Sequence, residues 1–303
     1  MKNAAPARTT RSDLYAVLDR YLAALDANDP TQAPWADTVY NTENNVSLMV
    51  GDGMWVTVTD RGKYDLRFAD VEQRTVGFFG SIFETTKDET PFSLWLKVDE
   101  AGRICEVESI AVRVVDHTMP FRDPKFWDKP QMNEMLPPEK RTPRARLISF
   151  GDGYFDTLQL NDGTMFTKFH PDANRVENGH QTTNNDQLAE HIPVVRLGCA
   201  EQFEKGYYKF DDRVRGRRFP VVDEERGLVL GCGFIDHCGK LRDFTLTDGT
   251  PAKSPFLRPQ TLNLMELFKI KDGAIEQIEA NFISVPYHMP SPWDGPGFGE
   301  SGR

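Results

Sequence analysis

Leu14, Val17, Leu18, Tyr21, Leu22 and Leu25 recur at helical spacing and predict an amphipathic helix near the start of the chain, capped by Ser12 or Asp13. A second helix is expected over Arg144 to Leu160, although Gly151 and Gly153 each weaken it by about 1 kcal/mol relative to alanine. The apolar runs that follow each helix read as strands. They are Met54 to Thr59, Val76 to Glu84, Phe92 to Val98 and Ile104 to Val114, then Val229 to Cys238, Leu262 to Ile270 and Ile275 to Val285. Asp99-Glu100-Ala101-Gly102 and Lys271-Asp272-Gly273 are hairpin turns in matching places. A helix followed by antiparallel strands is an α+β layer, with the helix packed in the concavity of a curved sheet.

The order of elements is repeated because the sequence is repeated. YLAALDAND (21 to 29) finds a counterpart in YFDTLQLND (154 to 162), and Glu43-Asn44 recurs as Glu177-Asn178. Further on, RFADVEQRTVGFFGSIFE (67 to 84) parallels RFPVVDEERGLVLGCGFID (218 to 236) with one inserted residue, and LKVDEAGRICEVES (96 to 109) parallels IKDGAIEQIEA (270 to 280). Matched blocks in one order point to duplication, with a first domain at 11 to 115, a linker at 116 to 143, a second domain at 144 to 290 and a tail at 291 to 303. Phe121, Phe126 and Trp127 predict that the proline-rich linker packs on a domain.

Length and charge narrow the function. A chain of 303 residues suffices for two domains that each bury a core. A net charge of -10 argues against a general nucleic-acid binder, and the basic cluster Arg213, Arg215, Arg217 and Arg218 reads most simply as a solvated strand edge. No stretch approaches the roughly 18 to 20 apolar residues needed to span a bilayer, and MKNAAPARTT has no apolar signal core, so a cytoplasmic protein is expected. Cys105, Cys199, Cys232 and Cys238 form no metal or disulfide framework, and the dispersed histidines request no metal site. Cofactor motifs such as a dinucleotide loop or a P-loop are absent too, so no cofactor is expected.

The blocks YLAALDANDP, TENNVSLMVGDGMW, TVGFFGSIFE and LKVDEAGRICEVESIAVR resemble tandem members of the nuclear-transport-factor-2-like (SnoaL-like) superfamily, over residues 11 to 115 and 144 to 290. The resemblance implies two cone-shaped domains, each a curved, mostly antiparallel sheet wrapped around N-terminal helices, with a pocket at the open end. That superfamily includes polyketide cyclases, ketosteroid isomerase-like enzymes, dehydratases, epoxide hydrolases and non-catalytic binding proteins. Fold alone therefore does not fix function.

Chemistry is sought where residues break the apolar pattern. Glu266 shares a strand face with Leu264, Phe268 and Ile270, and the first copy carries Leu94 there. A carboxylate on an inward face must be paired or protonated, and its raised pKa suits a general acid or base, unless the register slips and it faces water. Asp236 is in phase with Leu228, Leu230 and Phe234, but Glu84 at the aligned position suggests a structural acid, and His237 reads as a surface or cap residue. Glu177, Asn178, His180 and Asn185 concentrate hydrogen-bonding groups suited to a hydroxylated ligand; repetition of the Glu-Asn pair favours a turn role for it, and His180 has no twin. Tyr208 and Arg218 could stabilise a developing oxyanion, with core packing for the neighbouring Tyr207 and an Arg218–Asp223 salt bridge as the plain alternatives. Tyr287, His288 and Trp293 lie in a proline-stiffened tail that either lids a pocket or docks on the surface.

These residues together suggest a cofactor-independent lyase or dehydratase with its pocket in the second copy, acting on a small aromatic substrate. Within the resemblance, the lignin-dimer γ-formaldehyde lyases are the analogy: Glu266 or His180 would take the γ-hydroxyl proton while Arg218 and Tyr208 stabilise phenolate charge. A carrier using the same pocket, or an isomerase or cyclase built on Glu266 and Tyr208, fits the same residues. Neither nucleic acid nor membrane is an expected partner, and a homodimer is left open.

Overall fold

The computed structural model describes residues 9–113, 115 and 123–294. Its first half comprises helix α1 (Arg11–Asp26), strands β1 (Trp35–Glu43) and β2 (Val46–Ser47), a helical turn α2 (Met54–Thr57), and strands β3 (Val58–Asp70), β4 (Thr75–Glu84), β5 (Glu89–Val98) and β6 (Ile104–Ala111). After the short helix α3 (Pro130–Asn133), the second half comprises helix α4 (Arg144–Leu160), strands β7 (Phe169–Glu177) and β8 (His180–Gln181), helices α5 (Asp186–Ala189) and α6 (Cys199–Glu204), and strands β9 (Arg213–Asp223) and β10 (Leu228–His237). A ribbon of β11 (Asp243–Thr245) and β12 (Pro251–Lys253) precedes strands β13 (Gln260–Lys271) and β14 (Ala274–Val285).

Each half forms a six-stranded sheet, ordered β2-β1-β6-β5-β4-β3 and β8-β7-β14-β13-β10-β9. The two orders are the same topology. In both, one parallel pair (β1 with β6, β7 with β14) interrupts an otherwise antiparallel sheet. The duplication extends to single hydrogen bonds. Asn44 and Asn178 both adopt positive φ, and each amide clamps one residue across the sheet, Ala111 and Phe282 respectively, by accepting from its N–H and donating to its carbonyl. Asn28 and Asn161 likewise end the two long helices at positive φ.

Several expectations need correction. Met54 to Thr57 is a helical turn, and β1, β3, β7 and β9 lie in stretches whose polar residues hide the strand pattern. Thr10 caps α1, with Asp13 completing a capping box from the third helical position. The β4 and β10 hairpins have turns of equal length, so the counterpart of His237 in the first half is Glu84, and the repeated acid at Asp236 disappears. Of the linker, residues 123–143 pack in part as expected: Met132 and Leu136 are buried and Phe126 stacks on Tyr64, whereas Trp127 is exposed; Phe121 lies outside the described residues.

The glycines of α4 are there for close packing. A Cβ on Gly151 would lie 2.8 Å from the Phe219 ring, and one on Gly153 would lie 2.6 Å from the Phe166 carbonyl oxygen. Gly153→Ala is therefore expected to lower stability by about 1–3 kcal/mol, against the ~1 kcal/mol gain that helix propensity alone would give. Thermal unfolding of the variant checks the sign.

The inner face of each sheet packs on its own helix, α1 in the first half and α4 in the second. The outer faces pack on each other. Leu66, Phe79, Trp95 and Ile110 from one sheet meet Val221, Leu230, Cys232, Met265 and Ile283 from the other in a shared apolar layer. Buried ion pairs tie it in a pseudo-twofold manner. Arg11 at the start of α1 pairs with Asp223, and Arg144 at the start of α4 pairs with Asp70, both at 2.5 Å. Each aspartate also accepts a backbone N–H from the opposite half, Ala69 to Asp223 and Val222 to Asp70. The outer face of each sheet is thus covered by the other within the chain.

Candidate functional site

The inner faces of the two sheets differ in what fills them. In the first half, Trp35 and Trp55 pack edge-on against Tyr21 of α1, at ring separations of 5.8 and 5.3 Å, beside Leu94. Tyr154 of α4 is the counterpart of Tyr21 in the second half, but a cavity of about 830 Å³ opens beside it. Part of its wall comes from the shared helix and strands, and part from segments that the first half does not have. The stretch around α5, Pro193 and α6 supplies Ile192, Val194, Val195 and, beyond it, Tyr207 and Tyr208; the segment after the β11–β12 ribbon supplies Phe256 and Leu257. A cavity of this size, mostly apolar with a few converging polar groups, is suited to a small organic ligand.

At its deep end, Glu266 of β13 enters between Leu264 and Phe268, on the face that α4 covers. Matching β13 to β5 through their pairing with β10 and β4 puts Leu94 at the same position in the first half. Burial pushes the Glu266 carboxyl up to about 8, with the Glu177 charge adding to that and Arg175 and a hydrogen bond from Tyr154 opposing it. Near neutral pH this is a carboxylic acid close to its midpoint, able to give or take a proton.

Arg175 of β7 organises this end. It is buried, with its Nε 3.2 Å from Glu177 and 3.3 Å from the Thr182 hydroxyl. Its terminal nitrogens donate to the Tyr154 hydroxyl at 3.4 Å, to Gln202 at 2.6 Å and, in a short contact, to Tyr208. Tyr208 in turn donates to Gln202. The first half has Asn41 at the position of Arg175. The guanidinium thus fixes two phenols, one of which reaches Glu266. Burial raises both phenol pKa values, so Tyr154 and Tyr208 act as hydrogen-bond donors at neutral pH.

Near the mouth, Asp211 Oδ1 lies 3.0 Å from Nδ1 of His237, and the imidazole stacks on Phe256 at 4.0 Å. His237 is buried, contrary to its expected surface position, because β10 is covered on both faces.

The cavity therefore gathers Glu266, Tyr208 and Glu177 from the expected residues, and the others lie elsewhere. Arg218 points to the inter-sheet layer, where its fork grips Glu108 at 2.8 and 2.9 Å. Asp236 faces that side too, buried between Arg215, Arg213 and the Thr261 hydroxyl; β10 alternates as expected, but the face shared by Leu228, Leu230 and Asp236 is the outer one. The arginine cluster is consequently ion-paired and not a solvated edge, with Arg217 on Asp152 and Asp156. Asn178 clamps its turn, and Asn185 caps α5. His180 sits on the edge strand β8, outside the cavity lining. Trp293 is buried against Tyr40 and Trp95 of the first half; Tyr287 accepts from Arg213, and His288 is exposed, so the tail straps the two halves together and does not lid the cavity. Arg175, Tyr154 and Asp211 are site residues that the sequence did not point to, and His237 is one that it places at the surface or in a cap. Two-residue alternation signals the first and last, since Arg175 is in phase with Ala173 and Glu177, and His237 with Val229 and Ile235.

Residues 140–282, which carry the whole cavity, match a family described as a domain of unknown function (DUF8021). No curated protein matches the sequence. Among solved structures, the chain is similar to a putative isomerase of the SnoaL-like family from Agrobacterium tumefaciens at 12% identity, covering 34% of this chain and 99% of that one with a TM-score of 0.26. It is similar to the BvnE pinacolase from Penicillium brevicompactum at 11% identity, covering 35% and 90% with a TM-score of 0.28. A C. albicans Mtr2–Mex67 M domain complex is matched at 13% identity over 48% and 98%, with a TM-score of 0.30. No helix among the described residues is long and apolar enough to cross a membrane.

Proposed function

We propose that the second half is a cofactor-independent acid/base enzyme for a hydrophobic aromatic small molecule, with Glu266 as the proton-transfer group. The observation that carries this reading is a carboxyl buried in the wall of a cavity large enough for two aromatic rings, where burial pushes its pKa up to about 8. An enclosed acid near its midpoint combines the correct protonation state with a useful driving force for transfer. Tyr154, held by Arg175, gives its one proton to Glu266, and Tyr208 gives its own to Gln202, so the two phenols orient the acid and the network around it. Arg175 itself is spent on those phenols and on Glu177, so it acts by positioning.

Such a site suits a lyase that breaks a bond next to a hydroxyl-bearing carbon, with Glu266 as its base. For a phenolic aromatic dimer that carries a hydroxyl or aryloxy group on the next carbon, the hydroxyl proton passes to Glu266 as the C–C bond breaks and formaldehyde leaves; the bonding electrons form a C=C bond and expel that group, which departs as water or a phenol with the proton returned by Glu266. The test is incubation of the purified protein with phenolic aromatic dimers, following formaldehyde and the aromatic product by chromatography. Product is expected with wild type and not with Glu266→Gln, which should still bind the dimer. Ligand-induced thermal stabilisation without turnover of any member of the panel would make the protein a carrier and overturn the enzymatic reading.

A further inference from the structure

The cavity holds a second polar centre that the deep cluster does not use. Asp211 and His237 both line it and both are buried, His237 to 1% and Asp211 to 7% exposure. Asp211 Oδ1 is 3.0 Å from Nδ1 of His237, too far off the ring N–H axis for a straight hydrogen bond, and the Phe210 carbonyl oxygen lies 3.5 Å from the same nitrogen. Both neighbours of Nδ1 are acceptors. The neutral ring therefore keeps its proton on Nδ1 and leaves Nε2 as an acceptor.

Nε2 is buried and has no hydrogen-bond partner among the described residues. A buried acceptor of this kind is unfavourable unless water or a ligand satisfies it, and the cavity that His237 lines can supply either. The ring cannot readily turn away, because Phe256 covers its face with an interplanar angle of 15°. An anionic ligand group is disfavoured there by the cost of burying a charge beside the Asp211 carboxyl. A neutral O–H is the matching donor.

Position defines the rest of the ligand. His237 pairs with Gln260, and Glu266 lies six residues further along β13, about 20 Å of strand at 3.4 Å per residue. The intervening wall is apolar, with Leu262, Leu264, Ile235 and Phe282. A molecule that meets both centres is elongated, with its polar groups at the ends.

We propose that His237, oriented by Asp211, accepts a hydrogen bond from a terminal hydroxyl of the ligand, and so selects elongated aromatic molecules that carry a phenol at the end remote from Glu266. This rests on the reading of the cavity as an aromatic-binding site. His237 is then a specificity determinant, and Asp211 a positioning residue.

Calorimetric titration with 4-hydroxystilbene and its methyl ether, 4-methoxystilbene, separates the two ideas. Wild type is expected to bind the phenol at least 10-fold more tightly than the ether, which cannot donate. His237→Phe, which keeps the stack on Phe256, should lose that preference by weakening the phenol alone, and Glu266→Gln should keep it. Because His237→Phe leaves Asp211 without its partner, wild type provides a second readout: the imidazole Nε2 ¹⁵N resonance of His237 should move with the phenol and not with the ether. Equal affinities in wild type, an unmoved resonance, or a preference that survives in folded His237→Phe overturns selection by His237 while the cavity reading stands. If neither stilbene binds wild type, the aromatic-binding reading fails and this selection with it.

Discussion

Replacing Arg218 with methionine is expected to lower the unfolding free energy by about 3–5 kcal/mol, the range for breaking a buried ion pair from one side. Arg218 donates two parallel hydrogen bonds to Glu108 across the layer between the sheets. The Glu108 side chain is only 4% exposed, and its remaining partner is the indole N–H of Trp95. Methionine fills much of the volume of the arginine stem yet leaves that carboxylate in an apolar layer without its countercharge. The Arg218 guanidinium also lies 5.2 Å from the Trp293 ring centroid, so the strap formed by the tail loosens as well. Removing both charges, in Glu108→Leu/Arg218→Met, should recover most of the loss, because the desolvation penalty leaves with the carboxylate. Urea unfolding of the two variants and wild type decides the matter. A loss under 1 kcal/mol for Arg218→Met, or a double variant no more stable than the single one, would show that the layer does not depend on this pair. Folded Arg218→Met should keep its ligand affinity, which separates this structural role from the oxyanion role that the sequence alone allows.

Arg218 also shows why part of the site was illegible. Alternation along a strand sorts residues onto two faces but does not say which face holds the cavity when both are buried. Here each sheet packs a helix on one face and the other sheet on the opposite one, so Asp236, correctly sorted by phase, falls on the wrong side, and Arg218, never assigned a face, lies there too. Glu266 escaped the ambiguity because its neighbours Leu264, Phe268 and Ile270 extend the helix-facing core and because the repeat offers Leu94 for comparison. The helix over Arg144 to Leu160 was legible as the repeat of the periodic first helix, while the edge strands β3 and β9, dense in charge, became strands only through long-range pairing. Arg175 and His237 were hidden for a related reason. A basic side chain in a strand reads as exposed until a distant partner, here Gln202 with the phenols for one and Asp211 for the other, makes its burial tolerable.

Glu266→Gln is expected to be less active and more stable than wild type, and the second effect should grow with pH. An unfolded Glu266 ionises near 4.5, whereas in the native cavity burial holds the proton to about 8. Between those values the native state binds a proton that the unfolded state has released, so wild-type stability falls as pH rises through the window. Below pH 4.5 both states are protonated and the contribution vanishes; above pH 8 it is complete. Glutamine carries no titrating proton, keeps the volume, and can still accept from Tyr154. The stability of Glu266→Gln relative to wild type should therefore rise by roughly 3–4 kcal/mol between pH 5 and pH 8, as the difference of the two ionisation curves requires. Groups around the carboxyl, Arg175, Glu177 and Tyr154 among them, are common to both proteins and largely cancel in the comparison. Chemical denaturation at the two pH values measures it. A pH-independent difference would mean that Glu266 is already ionised in the native state, held by Arg175, and that it cannot serve as an acid near neutrality. Loss of turnover by a factor of about 10² to 10⁴ in the same variant is the expected kinetic counterpart. The two signs together matter more than either alone: a carboxyl that costs the fold stability at working pH and yet cannot be removed without losing product is retained for its proton.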